Sequence, residues 1–67
     1  MKAYIQYNFK RSTVTVSVVT EQDYNDGGPF AHSFTSREYF DEGDAEEAAR
    51  AWCVEHGIKL VNSPNEF

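Results

Sequence analysis

Asp44-Ala45-Glu46-Glu47-Ala48-Ala49-Arg50-Ala51-Trp52-Cys53-Val54-Glu55-His56-Gly57 is the stretch from which the fold is read. Asp44 has the short oxygen acceptor of an N-cap, Glu47 three residues later completes a capping box, and Gly57 suits a left-handed stop. Ala45, Ala48, Ala49, Trp52, Cys53 and His56 recur at three and four residues, which makes one apolar stripe. The alanines let this helix approach a sheet closely and Trp52 fills the middle, while Glu46, Glu47 and Arg50 face water.

Upstream the period changes from 3.6 to two. Ala3, Ile5, Tyr7 and Phe9 alternate with Lys2, Tyr4, Gln6, Asn8 and Lys10, and Val14, Val16 and Val18 alternate with Thr13, Thr15 and Ser17. Both runs read as half-buried strands, and the break at Lys10–Ser12 is short enough for a hairpin. Glu21–Pro29, rich in Asp, Asn and Gly, reads as a mobile loop. A third strand is expected from Phe30 to about Phe40, with a bulge near Ser36 or Arg37 because Tyr39 breaks the parity of Phe30, His32 and Phe34. After the helix, Ile58–Val61 reads as a fourth strand, placed beside the first by a right-handed crossover, and Asn62–Phe67 as a frayed tail. The expectation is a single α+β domain over residues 1–67, in the order β-β-β-α-β, mainly antiparallel, with one helix on one face.

The charge is lopsided. Residues 1–20 sum to +3, residues 21–47 to −8 and residues 48–67 to zero, for a net −5. Six of eleven acids, Glu38, Asp41, Glu42, Asp44, Glu46 and Glu47, fall within ten residues that hold no basic side chain. Such a balance repels DNA, RNA and anionic membrane and attracts a basic protein surface. An aromatic content of 15% gives a small chain bulky groups to bury without disulfides. The lone Cys53 and the absence of a long apolar run point to a cytoplasmic protein.

Catalytic and metal chemistry find little footing. Cys53 and His56 are three apart on a helix, but a structural zinc site needs four ligands and His32 is the only other histidine. Core packing accounts for Cys53, and the helix C-terminus for a cationic His56. Gly27-Gly28 lacks the spacing of a phosphate-binding loop. Carboxylates can do acid–base work only in a cleft that perturbs them, and a one-helix sheet offers little concavity. No enzyme activity and no cofactor are expected.

Carboxylates spaced along a strand edge and a helical turn match the repeat of phosphates along a DNA strand. In small size, acidic balance, single cysteine and sheet with one helix, the chain resembles the small anti-CRISPR proteins of phages. That resemblance implies a DNA-mimic inhibitor that blocks a basic nucleic-acid site on a CRISPR effector subunit. Its contact residues would be Glu38, Asp41, Glu42, Asp44, Glu46 and Glu47, with Asp23 and Asp26 from the loop and Tyr24, Tyr39 and Phe40 as apolar anchors. The element order over residues 1–61 and the stretch Glu42–Ala48 are also similar to HicB-type antitoxins, which implies neutralisation of a small basic toxin. The chain lacks that family's Pro-Asp-x-Pro-Gly stretch and DNA-binding domain. A third expectation is an assembly subunit pairing through a sheet edge or the polar face of Tyr4, Gln6, Thr13 and Thr15.

Overall fold

Four strands and two helices form the fold in a computed structural model that describes residues 1–67, the Pro29 side chain excepted. In chain order they are β1 (Lys2–Phe9), β2 (Val14–Thr20), α1 (Glu21–Gly27), β3 (Phe34–Thr35), α2 (Glu42–Glu55) and β4 (Lys59–Val61), with 3₁₀ turns at Gly28–Phe30 and Pro64–Glu66. The sheet order is β3-β2-β1-β4. β1 and β2 make the antiparallel hairpin, with Ala3 facing Thr20 and Phe9 facing Val14. β4 returns parallel to β1 over Lys2–Tyr4, so the class is α+β, mainly antiparallel with one parallel edge.

The period-two pattern of the hairpin decides the layers. Ala3, Val14, Val16 and Val18 point to one face and are buried with Ala45, Ala49 and Cys53 of α2, and Ile5, Tyr7, Phe34, Tyr39, Trp52 and Leu60 pack around them. Small side chains at Ala45 and Ala49 bring α2 close to the sheet. Gly57, at φ 66°, ends α2 as expected. The chain reverses there with Ile58 N–H donating to Cys53 O at 2.9 Å, as in a left-handed C-terminal cap.

Four expectations are corrected. α2 begins a turn earlier than Asp44: Asp41 is the N-cap, its backbone extended and its carboxylate accepting from Gly43 N–H at 2.8 Å. Both aspartates can cap, and the earlier one adds a hydrogen-bonded turn. Glu21–Gly27 is helix α1, not a loop, because Thr20 and Asp23 form a capping box, a signal masked by the Asn, Asp and Gly that follow. The third strand is only Phe34–Thr35, with an isolated bridge between Tyr39 and Val14. The end of the chain is packed, not frayed: the Phe67 ring lies 5.9 Å from both Tyr4 and Tyr24.

The expected bulge is present. Ser17 faces Thr35 and Val14 faces Tyr39, so three steps along β2 are answered by four on the other side. Ser36 fills the break, donating its N–H to Val16 O at 2.8 Å and accepting Val16 N–H on its Oγ at 2.9 Å.

Candidate functional site

Two regions carry the polar chemistry of this fold: the start of α2, and the flank where α2 meets β1. The first inherits its charge from helix initiation. Asp41 caps, and Glu42 and Asp44 sit in the first turn, where the helix dipole favours carboxylates. Asp41, Glu42, Asp44 and Glu47 are all exposed. Among the described residues only two ion pairs form, and both remove members of the acidic run: Lys10 Nζ meets Glu38 Oε1 at 2.9 Å and Arg50 Nε meets Glu46 Oε2 at 2.8 Å. Four of the six carboxylates therefore face solvent and form no ion pair among the described residues, with Arg37 bordering a cleft beside Asp44 and Glu47.

Apolar surface adjoins these charges. Phe40 is 87% and Phe9 67% exposed, and both line a shallow cleft with Lys10, Arg11 and Glu42. The alternation of β1 places Phe9 on the packed face with Ala3, Ile5 and Tyr7, and the structure corrects this: at the end of the strand, next to the hairpin turn, it is left exposed. Tyr39 is half-buried against the core under the Arg37 guanidinium, 4.8 Å from its ring, so it props the site more than it presents a surface.

The acids of α1 do not join the run. Tyr4 has the opposite parity to Ala3 and Ile5, and its ring lies 6.3 Å from Tyr24, which places α1 on the face away from α2. Asp23 is occupied as a cap. Burial works against its ionisation, but hydrogen bonds from Thr20 N–H at 3.0 Å and Ser33 Oγ at 2.7 Å outweigh it and hold the carboxyl below its ordinary range. Asp26 is exposed but stands on the α1 side, while Tyr24 belongs to the aromatic cluster with Tyr4 and Phe67.

On the α2–β1 flank, Tyr7 OH donates to Glu46 Oε1 at 2.5 Å, and Arg50 holds the other oxygen. The bond to Glu46, with burial and the nearby negative charge, pushes the Tyr7 hydroxyl up to about 12. The same bond, helped by Arg50, holds Glu46 below its ordinary value. These groups border an open cleft of about 310 Å³ with Ile5, Leu60 and Val61. A tyrosine this hard to ionise and a carboxylate this hard to protonate are both poor proton carriers near neutrality.

The stabilising effect of the pair has a defined pH window. Tyr7 is raised from 10.0 to about 12, so its contribution is complete below pH 10 and is lost as the pH climbs through the folded value. Glu46 is lowered from 4.5, so its contribution is present above pH 4.5 and fades as the pH falls through its folded value. Tyr7→Phe is therefore expected to lower the urea midpoint at pH 7, with the gap to the parent closing toward pH 12 and narrowing in acid. A gap of constant size across that range would assign the effect of Tyr7 to packing alone.

Cys53, 1% exposed, is a core residue whose thiol is pushed up by burial. His56 instead stacks on Trp52, with ring centroids 4.1 Å apart, and donates Nδ1–H to Trp52 O. Among the described residues no three His, Cys, Asp or Glu side chains gather as a metal site would require, and no helix is long and apolar enough to cross a membrane. No protein-family model, curated protein or solved structure significantly matches the chain.

Proposed function

We propose that this protein is a non-enzymatic inhibitor that binds a protein partner by laying the acidic start of α2 on a basic, nucleic-acid-binding surface. The observation that carries this reading is the set Asp41, Glu42, Asp44 and Glu47, exposed and in no ion pair among the described residues, with the 87% exposed Phe40 beside it. Carboxylates that form no ion pair within the protein attract Lys and Arg from a distance. The adjoining aromatic supplies the desolvated anchor that such contacts need for affinity. A net charge of −5 disfavours direct binding to nucleic acid. The resemblance to anti-CRISPR proteins nominates a CRISPR effector subunit as the partner, with the carboxylates in place of DNA phosphates. Asp23, Asp26 and Tyr24 lie outside this surface, and Glu38 and Glu46 contribute only after release from Lys10 and Arg50.

The test is retention of CRISPR effectors from a host lysate on the tagged protein, at low and high salt, against the triple variant Glu42→Lys, Asp44→Lys, Glu47→Lys. An effector should be retained at low salt, less at high salt, and at least about tenfold more weakly by the variant. Retention indifferent to both salt and charge reversal would make the acidic run a solubilising surface and remove the basis of the proposal.

A further inference from the structure

The sheet edge formed by the second half of β1 is unfinished. β4 runs beside β1 only over Lys2–Tyr4, whereas β1 continues to Phe9 in its pairing with β2. Lys59 N–H donates to Met1 O at 2.9 Å, and backbone groups alternate along a strand, so the odd-numbered residues of β1 point theirs toward the β4 side. Past the end of β4, Tyr7 and Phe9 present N–H and C=O, and Ile5 its C=O, to no strand among the described residues. Natural edges of this kind are shielded by charges, proline or bulges. The segment Ile5-Gln6-Tyr7-Asn8-Phe9 contains no charge and no proline, and its register is unbroken.

Two features along this edge fit each other. At one end Phe9 stands 67% exposed. At the other, Ile5, Leu60 and Val61 form the apolar part of the open cleft of about 310 Å³, whose polar part is Tyr7, Asn62 and the Glu46–Arg50 pair. Ile5 and Phe9 share parity and therefore a face of the sheet. A second copy turned by a two-fold axis at Tyr7 and laid antiparallel would set Phe9 of each copy opposite Ile5 of the other, at the mouth of its cleft. Tyr7 would oppose Tyr7, and Gln6 would oppose Asn8. The segment reads apolar, amide, tyrosine, amide, apolar in either direction, so each pair along the strand matches like with like, and the charges in the cleft wall, Glu46 and Arg50, are already paired with each other.

We infer that this edge is a self-association surface on which a second copy of the chain adds its β1, making one sheet continuous across a symmetric dimer. Of the exposed carboxylates, Glu42 shares a cleft with Phe9, but Asp44 and Glu47 line neither that cleft nor the one at Ile5, so this dimer does not depend on those two acids. The two proposals can fail separately.

Sedimentation equilibrium of the full chain over a wide concentration range tests the inference. A monomer–dimer equilibrium is expected, unchanged by the double charge reversal Asp44→Lys, Glu47→Lys. Phe9→Lys, which sets a cation against each cleft, should weaken it at least about tenfold. Amide exchange on the unmodified protein gives a reading free of any folding defect in the variant: Tyr7 and Phe9 N–H should be protected in concentrated and not in dilute samples. A chain that stays monomeric throughout, a dimer indifferent to Phe9→Lys, or Tyr7 and Phe9 amides equally exchangeable at both concentrations would overturn the inference.

Discussion

Val16→Ala is expected to remove about 2–3 kcal/mol of folding stability, from the lost transfer energy of the deleted methyl groups and the cavity they leave. Val16 is completely buried, in one cluster with Ala45, Ala49 and Cys53 of α2. Those neighbours are small and belong to a helix already close to the sheet, so they have little side chain with which to fill a void. In a domain of this size the whole stability is typically no more than about 3–5 kcal/mol, and the change corresponds to a melting temperature lower by roughly 10–20 °C. Urea unfolding followed by Trp52 fluorescence checks it, since Trp52 packs at the border of the same cluster. A loss below about 0.5 kcal/mol would mean that α2 settles into the gap, and that the alanine-lined approach is softer than the packing suggests.

The elements that the sequence made legible are those whose periodicity is enforced by burial. β1 and β2 alternate because one face meets α2, and α2 shows its stripe because Ala45, Ala49 and Cys53 must lie on that sheet. The bulge was visible for the same reason, as a break in parity at Tyr39. The elements misread are held by specific polar or terminal contacts. α1 buries none of its residues and so has no apolar stripe to read; the Thr20–Asp23 box, not hydrophobic pattern, starts it. The last turn is held by the Phe67 ring on Tyr4 and Tyr24 and by hydrogen bonds to Glu66 from Lys2 Nζ and Asn62 N–H, contacts that spacing does not reveal. The acidic run was legible as composition, but its effective charge was not. Lys10 reaches Glu38 only because the hairpin tip lies near the segment leading to α2, and Arg50 neutralises Glu46 one turn along the helix. Asp23 and Asp26 were grouped with the run by sequence proximity, and the sheet stands between them and α2.

Ser36→Ala is expected to cost about 1–3 kcal/mol, although it deletes a single oxygen. Where the extra residue of the bulge interrupts the ladder, the Ser36 hydroxyl replaces the missing backbone acceptor. It accepts Val16 N–H at 2.9 Å and donates to Arg37 O at 2.8 Å. Ser36 is buried, so its removal leaves the Val16 amide without an acceptor in a place where water has poor access. The Ser17–Thr35 hydroxyl pair at 3.1 Å provides the comparison. Ser17→Ala removes a bond between two side chains and strands no backbone group, so a cost of about 0.5–1.5 kcal/mol is expected there. Amide exchange separates the two cases, because protection of Val16 N–H should fall in Ser36→Ala and stay unchanged in Ser17→Ala. Ser36→Thr keeps the oxygen and should recover much of the loss. The bulge also sets the direction in which the chain leaves the sheet toward Tyr39, Phe40 and the carboxylates of α2, so partner binding in Ser36→Ala should weaken along with stability. Equal stability of Ser36→Ala and the parent would mean that Val16 N–H finds another acceptor, and that this oxygen does not hold the turn into the acidic surface.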